Sequence, residues 1–330
     1  MMYTNLKDSP EFVQKTLNLI EESFGYDNAN SFKIDFYPLF NKSNFKNCHI
    51  LVDNNNVVAH IGQLTKSITI GEATYDLSMY GGISVNSQYR GKGIFKEFFR
   101  TIKDKYTNYA LHLLWSDKIE LYKKFIFYPC IGMYEYPKNQ NNYPLSDLKI
   151  ERSDLKNLSE KELKIIEQIY SHNDEIRINR NNMNWNEIKN ISSAQLFLIK
   201  RNSQIENYFF INKGADLDGV IHEYGHINIE YQKVLSNYGK VWASTKMTDS
   251  AQPLFAALCS PGEKDLFNLF VKSLCGIQIS SLSQKEVKFK FLDSLYTQPV
   301  NEFLIGILGP NRYKELNDSK KLFISGLDSI

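Results

Sequence analysis

Residues 80–106 read YGGISVNSQYRGKGIFKEFFRTIKDKY, and the fold is decided in this stretch. An apolar run over 83–85 enters a segment that holds Gly91 and Gly93. Beyond it, Ile94, Phe95, Phe98, Phe99, Ile102 and Tyr106 recur at helical spacing, with Lys96, Glu97, Arg100, Lys103 and Asp104 between them. The pattern predicts a strand, a glycine turn and an amphipathic helix. The start of a helix leaves backbone N–H groups without partners and carries partial positive charge. Glycines ahead of it let the backbone approach a bound anion, and a phosphate-bearing ligand is the natural occupant. An ordinary strand-to-helix turn is the competing reading. Gly91-Lys92-Gly93-Ile94-Phe95-Lys96 satisfies neither the P-loop pattern GxxxxGK[ST] nor the dinucleotide fingerprint GxGxxG.

Gln88-Tyr89-Arg90-Gly91-Lys92-Gly93 does match the signature Gln/Arg-x-x-Gly-x-Gly/Ala, with Val85 ahead of it. On this motif the chain resembles the GNAT N-acetyltransferase superfamily. The resemblance implies an α/β (α+β) GNAT fold, with a mixed central sheet flanked by helices, and acetyl-CoA as cosubstrate. It also implies that the pyrophosphate rests on Gln88, Arg90, Gly91, Lys92, Gly93, Ile94 and Phe95. The backbone of Ile83, Ser84 and Val85 would meet the pantetheine. Ser116 stands where family members contact CoA, although capping the next helix would explain it equally well.

The chain has 330 residues, 42% hydrophobic and 23% charged, enough for two domains of common size. Lys and Arg number 39 against 37 Asp and Glu, so no global field selects nucleic acid or an anionic membrane. Cys48, Cys130, Cys259 and Cys275 show no CxxC spacing. The first residues, MMYTNLKDSPEFV, carry no apolar signal core, and no apolar run approaches the ~20 residues of a membrane span. A cytoplasmic protein with free thiols is expected.

In chain order, Ser9-Pro10 sets a helix start, and apolar positions through Phe24 carry the helix to Gly25. A weaker helical stretch passes Phe32, Phe36 and Leu39. Strands are expected at 49–52 and 57–61 around a polar turn, and at 67–70 and 74–79 around Gly71. The apolar run 110–115 predicts a strand covered on both faces. Asp117 and Glu120 have capping-box spacing. LYKKFIF at 121–127 resembles the GNAT closing motif, with Ile126 where that family has glycine. The Asn-, Pro- and Ser-rich stretch 137–148 predicts a linker.

Beyond it a similar order restarts. It brings a capping box at Ser159 and Glu162, strands at 195–200, 205–211, 220–229 and 241–245, and helical patches at 231–238, 254–258 and 266–274. We therefore expect two tandem GNAT-like domains. Residues 1–137 would be the catalytic, acetyl-CoA-binding one. Residues 149–330 would be a degenerate copy, with Asn228-Ile229-Glu230-Tyr231-Gln232-Lys233 where its glycine loop would stand.

Acetyl transfer to an amine needs a positioned thioester, a deprotonated amine and, for the leaving thiolate, a proton. The resemblance places the acid at Tyr122, whose phenol stays protonated at neutral pH. An ordinary core tyrosine is the alternative, among 20 in the chain. Asp76, Tyr80, His60 and His112 are candidate bases. His112 sits in an apolar run where structural histidines are common. A water relay or a chain terminus would serve as well.

His222-Glu223-Tyr224-Gly225-His226 matches HExxH, which binds zinc only when a helix puts both histidines on one face. Gly214, Gly219 and Gly225 bracket it and its flanks look extended, so we expect an accidental match and no metal. The expected acceptor is a small amine-bearing molecule, with a protein lysine or N-terminus as alternative. A non-catalytic acyl-CoA-binding module is the competing class.

Overall fold

A computed structural model describes residues 1–26, 31–140, 142–144, 147–316 and 319–330. Strand β1 (Met2–Asn5) leads through a turn opened by Pro10 into helix α1 (Val13–Phe24), which Gly25 closes at φ 70°. A single turn, α2 (Phe32–Asp35), follows. Strands β2 (Cys48–Asp53) and β3 (Asn56–Ile70) are joined through Asn54 and Asn55 at φ 46° and 62°. That is the left-handed pair a two-residue hairpin requires. The strands expected at 57–61 and 67–70 are thus one strand, and Gly71 turns it into β4 (Ala73–Val85). Helix α3 (Ile94–Lys105), β5 (Leu111–Leu114), α4 (Ile119–Lys123) and β6 (Tyr128–Tyr136) complete the first half. Of the expected linker at 137–148, residues 141, 145 and 146 lie outside the described residues.

The second half opens with β7 (Leu148–Ser153) and α5 (Glu160–Ser171), whose start is the expected box between Ser159 and Glu162. It continues through α6 (Asn182–Ile188), β8 (Gln195–Arg201), β9 (Gln204–Ile211), β10 (Val220–Tyr224), α7 (Ile229–Leu235), β11 (Lys240–Ala243) and β12 (Gln252–Pro261). The helical patch expected at 254–258 is therefore strand. Prolines at 253 and 261 disfavour a helix there, and ladders to strands on both sides supply the backbone partners. The helical patch expected at 266–274 is helix α8 (Lys264–Cys275), whereas a separate sheet of β13 (Gln278–Leu282), β14 (Glu286–Phe291) and β15 (Ser294–Pro299), and α9 (Val300–Leu308), were not foreseen.

The main sheet runs β1-β2-β3-β4-β5-β12-β6-β11-β10-β9-β8-β7. Adding six to each strand number of one half reproduces the other, so the order is symmetric about the β12–β6 pair. Both β4–β5 and β10–β11 are parallel, and the other pairs are antiparallel. The symmetry exchanges the last strands. β12 pairs with β5 of the first half, and β6 pairs with β11 of the second. This exchange overturns the expectation of four free thiols. Cys130 on β6 and Cys259 on β12 form a disulfide with Cα atoms 5.9 Å apart, across 129 residues of sequence. Cys48 and Cys275 remain free.

Each face of the first half has its own core. α3 covers Ala59, Ile61, Tyr80 and Leu114 with Phe98, Phe99 and Ile102, whereas Leu19, Ile20 and Phe32 lie on the other side with Leu39, Phe40 and Ile50. Among the described residues no helix is long and apolar enough to cross a membrane.

Candidate active site

β4 is the element on which the site is built. Its ladder to β3 pairs Gly62 with Gly81 and His60 with Ser84, so Gly82 and Ile83 together face only Ile61. This bulge uses Gly82 at φ 58°, where a Cβ would sit 3.0 Å from the Phe32 ring and 3.1 Å from His60. The extra residue shifts the alternation. Ile83 and Val85 consequently join Tyr80 on the α3 side. On the other side β4 pairs with β5 only as far as Tyr80–Leu114, and the two strands then part. The sheet opens there, with residues 81–85 of β4 no longer laddered to β5.

The bulge is held from behind. His60 Nδ1 donates to the Gly82 carbonyl at 2.7 Å, and the Ser84 hydroxyl donates to the same oxygen at 3.1 Å. His60 is fully buried, and burial lowers its pKa to about 4 against the opposing pull of the Gly82 carbonyl. It is thus neutral, with Nδ1 carrying the proton and Nε2 unpartnered among the described residues.

Past β4 the chain turns through residues 87–89, where Asn86 Oδ1 accepts from the Gln88 N–H at 3.0 Å. Arg90 Nε donates back to the Val85 carbonyl at 2.9 Å, and the Tyr89 hydroxyl to Asp53 at 2.8 Å, which fixes the loop to the sheet. Gly91 and Gly93 have φ of 75° and 79°, and among the described residues nothing lies within 4 Å of a Cβ built on either. Space is left in front of them. Gly93 occupies the N-cap of α3 without any capping side chain. Among the described residues the backbone N–H groups of 91–96 find no protein acceptor. Consecutive exposed N–H groups at the start of a twelve-residue helix are chemically suited to an anion, and Lys92 stands beside them over the Tyr89 ring. Gln88, Arg90 and Lys92 are exposed, and Ile94 and Phe95 half-buried, at this rim.

Tyr122 on α4 is 5% exposed and enclosed by Phe95, Phe99 and Phe127 with ring centres 5.7, 5.8 and 6.4 Å away. Burial raises its pKa well above the usual phenol value, and the neighbouring Ser116 hydroxyl opposes the rise only in part. Ser116 Oγ accepts from the Lys118 N–H at 3.0 Å, so it does act at the start of α4. The box expected between Asp117 and Glu120 does not form, since Lys118 is the N-cap and Glu120 pairs instead with Lys123. Ile126 takes φ 66°, the conformation that a glycine would adopt there. The turn is kept, with a β-branched residue in a strained region.

The candidate bases are not gathered at the bulge. Asp76 is exposed and pairs across the ladder with Ser67, six residues back along β4. The Tyr80 hydroxyl bonds His112 Nδ1 at 3.2 Å beneath α3. Burial, helped by Lys103, lowers the His112 pKa to about 3. His60 is occupied by the Gly82 carbonyl. A further group that sequence reading missed lies against β4. A Cβ at Gly81 would fall 2.6 Å from the carbonyl carbon of Ile330, so Ile330 packs against β4 just ahead of the bulge. No motif announces that approach.

HExxH falls on β10, a strand, where His222 and Glu223 are buried and His226 lies beyond the strand end. His222 Nε2 meets the Asn212 carbonyl at 2.7 Å, and Glu223 is paired with Arg180. The two histidines share no helix face. The counterpart of the glycine loop precedes α7, whose first turn is satisfied by the Asn228 side chain accepting from the Tyr231 N–H at 2.8 Å.

Comparison with known proteins places this geometry. Residues 7–129 match the model of the acetyltransferase (GNAT) domain. Curated protein sequences give no match. Over its whole length the chain is similar to solved structures. One is a conserved protein of unknown function and probable N-acyltransferase from Enterococcus faecalis, with 12% identity, 96% of this chain and 91% of that one covered, and TM-score 0.60. Another is a GCN5-related N-acetyltransferase from Anabaena variabilis, with 13% identity, coverage of 92% and 89%, and TM-score 0.57. A third is Eis1 from Mycobacterium abscessus, with 9% identity, coverage of 96% and 92%, and TM-score 0.60. At these identities the likeness is one of fold, and it extends through both halves. Residues 7–129 thus carry a GNAT acetyltransferase domain, and over the rest of the chain the likeness to solved N-acetyltransferases is one of fold.

Proposed function

We propose that this enzyme transfers the acetyl group of acetyl-CoA to the amine of a small molecule, in the cleft where β4 and β5 part. The observation that carries this reading is the run of N–H groups over 91–96 without a partner among the described residues, which follows directly on the part of bulged β4 that has left β5. The pyrophosphate rests on the loop, through Gln88, Arg90, Gly91, Lys92, Gly93 and the first residues of α3. The pantetheine lies along Ile83, Ser84 and Val85, with Ser116 across the cleft. The thioester then reaches the Gly82 bulge. The amine lone pair attacks the carbonyl carbon, a C–N bond forms and the C–S bond breaks. The amine proton leaves to water in the cleft, and the Tyr122 phenol protonates the departing thiolate. The phenol is protonated at neutral pH and can donate, and solvent returns its proton after the thiolate has left.

In this reading residues 1–137 bind the cosubstrate, and residues 149–330 complete the acceptor side. The backbone of Ile330 against Gly81 narrows that side, which favours a small amine over a protein chain. Release of free thiol from acetyl-CoA, followed across a panel of small amines and lysine peptides, tests the reading. Turnover with small amines is expected. CoA binding with no turnover of either class would leave a non-catalytic acyl-CoA-binding module.

A further inference from the structure

The HExxH string is turned to a different use. Glu223 is fully buried, and both of its oxygens accept from Arg180, at 2.8 and 2.5 Å. It also accepts from the Tyr208 hydroxyl at 3.1 Å and the Ser325 hydroxyl at 2.5 Å. Arg180 lies 4.1 Å from the Tyr170 ring centre and donates onward to Asp328 at 2.7 Å. Lys213, also buried, donates to the carbonyls of Gly326 and Ser329 at 2.5 and 2.7 Å. From the first half, Lys66 approaches Asp328 at 3.9 Å. His222 closes on Gly326, where a Cβ would sit 2.6 Å from its ring.

These partners converge on one piece of chain. Residues 325–330 contain no helix or strand of their own, so regular backbone pairing does not hold them. Buried ion pairs add little net stability, because desolvation offsets their attraction, but a bidentate guanidinium accepts one geometry. A network of this kind therefore specifies where a segment sits more than how firmly the protein folds. The segment it holds ends against Gly81, one residue before the bulge.

We propose that Arg180, Glu223 and Lys213 form a socket that seats residues 325–330 on Gly81 and thereby shapes the acceptor side of the cleft. They are positioning residues for acyl transfer, a role that rests on reading the Gly82 bulge as the place of reaction. The socket also gives the second half a part in the chemistry of the first, since Glu223 stands on β10, Lys213 between β9 and β10, and Arg180 before α6.

A double-mutant cycle tests this in the full chain. Asp328→Asn should lower turnover at saturating acetyl-CoA by at least about tenfold while leaving CoA affinity within about threefold. In a chain lacking residues 329–330, already slow, the same substitution should add little, because both changes act through one placement. An equal loss in both backgrounds would mark a general structural role and overturn the proposal. Hydrogen exchange supplies a readout independent of turnover. Asp328→Asn should raise exchange over 323–330 and 80–85 and leave β7 to β9 unchanged, and unaltered exchange over 80–85 overturns the socket. If no amine turns over in the wild type, that failure falls on the acetyl-transfer reading, and the exchange result still decides this one. Should Asp328→Asn not fold, Ser325→Ala removes one hydrogen bond, keeps the ion pairs and runs through the same cycle.

Discussion

Gly91→Ala isolates the contribution of the loop conformation to cosubstrate binding. Gly91 sits at φ 75°, and no atom of the described residues lies within 4 Å of the added Cβ, so the free protein loses only backbone energy. A non-glycine residue in the left-handed region costs about 1–2 kcal/mol. Part of that loss is relieved if the loop relaxes toward negative φ. Relaxation would, however, turn the neighbouring N–H groups away from the anion they face. An N–H bond to a charged group is worth about 1.5–3 kcal/mol, so losing one raises Kd about 10- to 150-fold. Calorimetric titration with CoA should show that loss, and titration with S-acetyl-pantetheine, which lacks the pyrophosphate, should not. Equal weakening of both ligands, or of neither, would refute the assignment of the loop to the pyrophosphate.

Four further outcomes are expected. Tyr122→Phe keeps the ring among Phe95, Phe99 and Phe127 and removes only the hydroxyl; single-turnover acetyl transfer should slow at least ~10-fold, about 1.4 kcal/mol, with CoA affinity nearly unchanged. Calorimetry should find one CoA per chain, since Asn228 already caps α7 and no glycine loop precedes it; a stoichiometry near two would contradict this. His60 and His222 are neutral in the fold with pKa values lowered to about 4 by burial, while the unfolded chain takes up protons near 6.5; stability should therefore fall as pH drops from 6.5 toward 4, by up to about 1.4 kcal/mol per pH unit for each histidine, and His60→Asn should flatten the slope measured by denaturant melts. At Ile126, φ 66°, the usual order of Ala over Gly should reverse, with Ile126→Gly more stable than Ile126→Ala by about 1 kcal/mol in chemical denaturation.

Much of the loop was legible in the sequence because its chemistry is local. Gly91 and Gly93 supply conformations other residues resist, and the 3.6-residue period from Ile94 onward announces the helix they precede. The Ser159–Glu162 box and the Asn54–Asn55 turn were readable for the same reason, being settled within a few residues. Errors arose where distant partners override local preference. LFAAL at 254–258 has a helical look alone, but β5 and β6 supply ladders on both sides that a helix would forgo.

The sequence by itself determined that a strand, a glycine loop and an amphipathic helix follow one another, and that Tyr122 comes after them at a closing turn. Only the tertiary structure decided the rest. The exchange of β6 and β12, the Cys130–Cys259 bond between them and the arrival of Ile330 at Gly81 join residues separated by more than a hundred positions. No periodicity encodes such pairings. They follow from which strand edges and buried charges remain unsatisfied once local elements have formed, and that is settled only when the two halves pack together.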